Sequence, residues 1–480
     1  MRIALAASEA APYAKSGGLG DVMQALPLEL SRIEGNEVVL ILPYYRKVKD
    51  NAAYPTELVA EIMVNLGWRQ QYAGVRRLVS TEPGPAVYFI DNEYYFGRSG
   101  NFYGHMDDGE RFAFFSKAVL DALCVLDFNP DIIQCNDWQT ALVPVYCKAM
   151  YGRRFADTKC VYTIHNVEYQ GWANAEFFDD VLGLPGNWRG TMTFDGSVNL
   201  MKGAIEAADM VTTVSEPYAK ELLYPYYAHG LDGILQRNSG KLYGITNGID
   251  PDVFDPSKDK ALPANYDAET FSVGKAKCKA ELQKDLGLPQ EPDVPMMAMI
   301  TRLVGHKGID LVCYAAERLM QQDVQLVIIG TGEHHYEEFF RELERRYPKK
   351  VSAQITFNLR LAARLYAAAD VYLMPSKSEP CGLSQLNAMR YGTVPVVNAT
   401  GGLKDTVPAY NPVENTGLGF NFQSYNGDDF YDAVNRCLTL YRDEPETWKN
   451  LVHRDMIQDF SWRIPASKYM ALFNKVLGKS

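Results

Sequence analysis

Short apolar runs, each closed by turn residues and followed by an amphipathic stretch of helical period, recur along the whole chain. Strands of a parallel sheet are covered on both faces, so they read as continuous apolar runs, and helices supply the connections. Residues 3–7, 37–41, 87–90, 132–135, 159–164 and 210–214 are predicted strands, with helices over 19–33, 109–126, 138–151 and 199–208. The series halts at the Asp- and Pro-rich segment 248–256, which reads as a linker, and then restarts. Strands are predicted over 296–301, 325–330, 354–357, 371–374 and 393–398, with helices over 308–321, 333–346, 361–369 and 383–391. The fold class is therefore α/β, with two Rossmann-like domains facing across a cleft. The expected division is 1–247, then 248–461, with 462–480 carrying a last amphipathic helix over 464–478.

Composition narrows the partners. The chain is 47% hydrophobic, enough for two large cores, and its net charge of −11 argues against nucleic acid or an anionic membrane as partner. The eight cysteines, at 124, 135, 147, 160, 278, 313, 381 and 437, form no C-x-x-C pair, so neither a zinc site nor a disulfide framework is expected. No apolar stretch reaches the ~18 residues of a membrane span, and the N-terminus enters a strand pattern at once rather than a signal peptide. A cytoplasmic location is the expectation.

Ligands of such sheets bind beyond the carboxyl ends of the strands. Several loops there carry chemistry. Lys15-Ser16-Gly17-Gly18-Leu19-Gly20-Asp21 follows the first strand and opens a helix, where glycines allow close approach and the helix N-terminus favours an anion. It lacks the G-x-G-x-x-G spacing of a dinucleotide site. Arg302 and Lys307, five apart in a glycine-containing loop, can clasp a pyrophosphate, the guanidinium in two-point fashion and the ammonium as a point charge. Glu379-Pro380-Cys381-Gly382-Leu383 places a carboxylate where sugar hydroxyls could donate to it, and Gly401-Gly402 repeats the glycine pair after the next strand. His165 and Asn166 end a buried strand, and Gly330-Thr331-Gly332 is a further phosphate-loop candidate. Asp250-Pro251-Asp252 spells Asp-x-Asp but sits in the linker, where it reads as turn chemistry.

Together these motifs resemble those of the bacterial glycogen synthase and plant starch synthase family, over essentially the whole chain. Lys15 to Leu19 meets the family's Lys-x-Gly-Gly-Leu, Arg302 to Gly308 its Arg-x-x-x-x-Lys-Gly, and Glu379 to Leu383 its Glu-Pro-Cys-Gly-Leu. Gly401 to Val407, Ile164-His165-Asn166, Tyr169-Gln170-Gly171 and Asn247-Gly248-Ile249-Asp250 match further signatures. The resemblance implies a GT-B fold, ADP-glucose as donor, an α-1,4-glucan as acceptor, retaining transfer and no metal or other cofactor. It also implies that Arg302 and Lys307 hold the phosphates, with Lys15 near the pyrophosphate and glucose. His165 would lie beside the glucose and Glu379 would bind its hydroxyls. By the same carry-over Gly17, Gly18, Asp21, Asn247, Gly330, Gly332, Phe357, Cys381, Gly382, Leu383, Gly401 and Gly402 belong to the donor site. Tyr95, Asp137, Trp138 and Asn166 belong to the sugar and acceptor pocket.

Three positions depart from the family's pattern. Asn136 stands where His usually precedes Asp-Trp. Thr356-Phe357-Asn358-Leu359 replaces Gly-Tyr-Asp-Glu, keeping a ring to stack on a base but losing its hydroxyl. Asn387 occupies the place, eight residues after the motif glutamate, where related families often carry a second glutamate. Departure of ADP puts negative charge on phosphate, which fixed cations can stabilise. Glu379 would be the nucleophile by residue type, whereas the resemblance implies same-face transfer without one; the residues leave both open.

Overall fold

The apolar runs become central strands because helices cover both of their faces. A computed structural model describes residues 1–479 and divides the chain into two compact units. Unit 1 comprises Met1–Asn247 together with the segment from Trp462 onward; unit 2 is Gly248–Ser461.

Unit 1 holds β1 (Arg2–Ala6), β2 (Glu37–Pro43), β3 (Thr56–Leu66), β4 (Arg69–Leu78), β5 (Ala86–Asp91), β6 (Ile132–Asn136) and β7 (Lys159–Ile164). After β8 (Trp172–Ala173), β9 (Thr193–Phe194) and β10 (Ser197–Asn199), which form a small sheet of their own, come β11 (Met210–Thr213) and β12 (Leu242–Gly244). The large sheet runs β12-β11-β7-β6-β1-β2-β5-β4-β3. From β12 to β5 the strands are parallel, and β1 pairs with β2 on one side and β6 on the other, Ile3 facing both Val38 and Ile132. The strand order thus reverses between β1 and β6, which opens a crevice at their carboxyl ends.

Unit 2 repeats the plan. Its strands are β13 (Met296–Ile300), β14 (Gln325–Ile329), β15 (Val351–Gln354), β16 (Val371–Met374), β17 (Val394–Asn398) and β18 (Phe420–Phe422), in the order β15-β14-β13-β16-β17-β18. All pairs are parallel and the order reverses between β13 and β16. Buried Lys275, on the helix Phe271–Asp285, donates to the carbonyls of Ala367, Ala369 and Tyr391 and to Thr393 Oγ1. It thereby ties the ends of two helices together, and burial pushes its pKa down to about 8.

The chain re-enters unit 1 through the helix Arg463–Val476, which buries Tyr469 and Phe473 and packs on the helix Gly18–Arg32. Lys475 Nζ donates to Tyr243 OH at 2.7 Å. Where the chain enters and leaves unit 2, Ile249 N donates to Phe460 O at 2.8 Å.

Several elements differ from the sequence expectations. The strand expected at 354–357 lies at Val351–Gln354, because pairing with β14 ends at Gln354; Ile355 and Phe357 alternate like a strand but lie past the sheet. The helix expected over 138–151 begins as a 3-10 turn, Trp138–Thr140, before the α-helix Leu142–Met150. The antiparallel hairpin β3–β4 was not anticipated, nor were the helices Phe271–Asp285, Gly427–Asp443 and Pro445–Met456. Among the described residues no helix is long and apolar enough to cross a membrane.

Candidate active site

Beyond β1 the chain turns through Ser8 and Glu9 before reaching Lys15. Glu9 is buried, and both its oxygens accept from Ser16, one from the backbone N–H and the other from the hydroxyl at 3.2 Å. Burial pushes its pKa up against these bonds. The loop so anchored presents Lys15, whose ammonium meets Asp21 at 2.6 Å on the first turn of the helix Gly18–Arg32. Gly17 caps that helix in extended conformation, and its N-terminus has no side-chain cap. Its first N–H groups therefore need another acceptor, such as an anion or water. A Cβ on Gly20 would lie 2.9 Å from the Lys15 side chain, so the glycine makes room for the lysine. Gly17 and Gly18 are exposed beside it.

Beyond β6 and β7 lies a cluster of polar groups. Asp137 has φ 56° and ψ −175°, a region nearly restricted to glycine, where a residue with a Cβ stores about 1–3 kcal/mol of strain. The strain persists because Asp137 is held on both sides. Its own N–H donates to Thr163 O at 2.9 Å, and its Oδ1 accepts from the backbone N–H groups of His165 at 2.8 Å and Asn166 at 3.4 Å. Asp137 and His165 are only half-buried, yet both are surrounded closely enough for desolvation to dominate. It raises Asp137 to about 7 and lowers His165 to about 3, leaving the imidazole neutral. His165 Nε2 lies 3.0 Å from Asn136 Oδ1. Trp138 rests edge-on against Phe112 and over Gly171, where a Cβ would come within 2.8 Å of the indole.

Tyr95 stands apart from this cluster. It is fully buried against Phe114, and its hydroxyl donates to Glu110. Its ring is part of the core here, while neighbouring Tyr94 is exposed. Asn247, at the end of unit 1, is buried with Oδ1 unpartnered.

In unit 2 the loops after β13 and β16 flank the switch point. Lys307 Nζ meets Glu379 Oε2 at 2.6 Å, and the same oxygen accepts from Ser376 Oγ at 3.0 Å. Asn398 Nδ2 in turn donates to Ser376 O at 2.9 Å. Lys307, Glu379, Ser376, Thr301, Tyr372 and Leu383 line one pocket. Arg302 is exposed, and its guanidinium makes no ion pair among the described residues. Its loop is fixed by the next one: Leu303 N donates to Thr331 O and Glu333 N to Leu303 O. The approach is so close that a Cβ on Gly330 would sit 1.8 Å from Thr301 O, and one on Gly332 2.2 Å from Leu303 O. Gly402 N donates to Glu379 O, and a Cβ there would fall 2.2 Å from Cys381 O. Gly382 and Gly401 have positive φ, Cys381 is buried, and Phe357 is 82% exposed beyond β15. Asn387 is buried on the helix Ser384–Arg390.

The structure therefore groups Lys15, Gly17, Gly18 and Asp21 on one loop of unit 1, and Asp137, Trp138, His165 and Asn166 at adjacent strand ends. In unit 2 it groups Lys307 with Glu379, and Arg302 with Gly330 and Gly332. Glu9, Ser376 and Asn398 were missed. A charged residue directly after a buried strand was a signal for Glu9; Ser376 and Asn398 carry none.

Comparison with known proteins bears on this geometry. Residues 2–237 match the family model described as starch synthase catalytic domain, and 280–452 match glycosyl transferases group 1. A glycogen synthase of Streptococcus agalactiae serotype Ia is 43% identical over 99% of this chain and 100% of its own. This chain belongs to the glycogen synthase family. A Clostridium perfringens member is 45% identical over 99% of this chain and 98% of its own. The catalytic domain of starch synthase IV from Arabidopsis thaliana, bound to ADP and acarbose, superposes with a TM-score of 0.91 at 34% identity, covering 99% of each chain. The two Rossmann-like units are those of the GT-B fold, which a sucrose-phosphate synthase from Thermosynechococcus elongatus shares at a TM-score of 0.61 and 18% identity. Membership of the glycogen synthase family makes the chain a hexosyltransferase.

Proposed function

We propose that the protein transfers glucose from ADP-glucose to the non-reducing end of an α-1,4-glucan, with retention, in cytoplasmic glycogen synthesis. The observation that carries this reading is the pairing of Lys307 with Glu379 at the switch point of unit 2, beside an Arg302 free to take a phosphate. The starch synthase bound to ADP and acarbose supports the choice of ligands. In this reading unit 2 is the donor side: Arg302 and Lys307 receive the charge that builds on the leaving diphosphate, and Phe357 stacks on the base. Unit 1 is the acceptor side, and its neutral His165 and carboxyl-bearing Asp137 recognise hydroxyls.

The fixed cations take the role a metal would otherwise have, so no metal is required. Glu379 Oε2 already accepts from Lys307 and Ser376, which suits it to orient the lysine and bind hydroxyls rather than to attack C1. That favours same-face transfer without a protein nucleophile. The deciding test is transfer of labelled glucose from ADP-glucose to glycogen. Incorporation as α-1,4 linkages, releasable by β-amylase, is the expected result, and absence of incorporation by folded protein refutes the reading.

A further inference from the structure

Asn136 is the last residue of β6 and has no exposed surface. Chemistry fixes the orientation of its carboxamide. One end lies 3.0 Å from the carbonyl of Ala6, which can only accept, so that end is Nδ2. The other end, Oδ1, lies 3.0 Å from His165 Nε2. A flipped amide would press its oxygen against the oxygen of Ala6. Because Oδ1 can only accept, Nε2 must carry the hydrogen. The ring is neutral, so Nδ1 is then the bare nitrogen and an acceptor. The neighbouring charged groups leave the ring alone: Asp137 takes backbone N–H groups, and Glu9 takes Ser16.

We propose that Asn136 is a positioning residue that locks His165 in its Nε2–H tautomer and so presents Nδ1 to the transferred sugar as a hydrogen-bond acceptor. This rests on the reading of His165 as a group that contacts the sugar. It also accounts for the departure at this position. A neutral imidazole, like a carboxamide, offers one donor and one acceptor, so the histidine that usually precedes Asp-Trp could bridge Ala6 O and His165 in the same sense. A leucine of similar size offers neither, and an aspartate offers two acceptors.

The test reads the ring directly. In protein carrying isotope-labelled histidine, His165 should show a pyridine-like Nδ1 and a pyrrole-like Nε2, with no titration between pH 5 and 9. In Asn136→Leu the two tautomers should mix, and kcat should fall about 10–100-fold, the scale seen when a metal-bound histidine loses the outer partner that orients it, with KM for ADP-glucose little changed. Asn136→His should recover most of that kcat loss. Asn136→Asp should keep Nε2 protonated but bring the ring's titration into the measured range and add a limb to the pH profile of kcat. A pyridine-like Nε2 in active wild-type enzyme overturns the inference and leaves the proposed function standing. So does an Asn136→His that is as impaired as Asn136→Leu, which would mean a purely structural role. Wild-type protein that shows the stated tautomer but transfers no glucose overturns the proposed function instead.

Discussion

Beyond β6 and β7 in unit 1 a carboxyl and an imidazole are held toward their neutral forms, while at the switch point of unit 2 a lysine and a glutamate are paired. Desolvation moves Glu9, Asp137 and His165 toward their neutral forms, and among the described residues no cation pairs with Asp137 and no carboxylate pairs with the His165 ring to oppose it. Lys307 and Glu379, buried to a similar degree, satisfy each other at 2.6 Å. A neutral, hydrogen-bonded surface recognises hydroxyls without attracting counter-ions, whereas a cation held by a carboxylate is ready for an anion in which charge develops. One fold, used twice, thus builds two kinds of site by whether an opposite charge lies within reach.

The largest effect should come from breaking the charged half. Arg302→Ala and Lys307→Ala should each lower kcat with ADP-glucose by about 100–1000-fold while circular dichroism stays native. The Lys307→Ala protein should also lose stability, because Glu379 is left buried and unpaired. Adding Glu379→Gln should restore the melting temperature but not the turnover. Recovery of both would reduce the pair to a structural element.

The glycines sharpen the contrast sterically. Gly402→Ala drives a Cβ into the Cys381 backbone and should lower the melting temperature by several degrees. Gly17→Ala meets nothing closer than 4.0 Å and should melt like wild type, losing activity through the ligand alone. Equal destabilisation by the two changes would erase this distinction.

A smaller effect tests the neutral half. The folded pKa of Asp137 is raised to about 7 from an ordinary value near 4, so folding resists its ionisation. Its contribution to stability is complete below about pH 4, is lost as pH rises toward 7, and stays lost above. Asp137→Asn keeps the acceptor oxygen and removes the ionisation. It should stabilise the protein most above pH 7 and flatten the slope of stability between pH 4 and 7, as read from thermal melts across pH.

The smallest expected effect is none. Activity should survive exhaustive EDTA treatment, since Arg302 and Lys307 supply the positive charge. Loss on chelation with recovery on Mg²⁺ would show that these cations are insufficient.

Much of this was legible in the sequence, for identifiable reasons. Arg302, Lys307, Glu379 and the glycine pairs are set by spacing within single loops, and spacing is what a sequence displays. What lay hidden depends on contacts between distant segments. Asn136 gains its partners from Ala6 and His165, and Ser376 gains meaning only once β17 brings Asn398 to its carbonyl. Gly330 looked like a phosphate loop, and the structure gives it a further, steric task against Thr301 that no local pattern encodes. The resemblance assigns Tyr95 to the pocket, but its ring packs against Phe114 in the core. The strand β3 alternates only past the register shift between Leu58 and Ala60, with Glu61, Met63 and Asn65 exposed and Val64 and Leu66 buried, and the exposed run Glu57-Leu58-Val59 before it breaks the pattern a sequence would show.

The return of the last helix to unit 1 has a consequence for biosynthesis. Unit 2 is contiguous in the chain, with its two ends stitched together by Ile249 and Phe460, so everything it needs leaves the ribosome in one piece. Unit 1 is translated first but lacks the helix Arg463–Val476 until the end, and its surface along the helix Gly18–Arg32 waits uncovered throughout. The domain made first is therefore completed last, reversing the usual vectorial order in which N-terminal domains finish before later ones emerge. Nascent chains stalled after unit 2 should carry a fully protease-resistant second domain attached to a first that is still open to digestion.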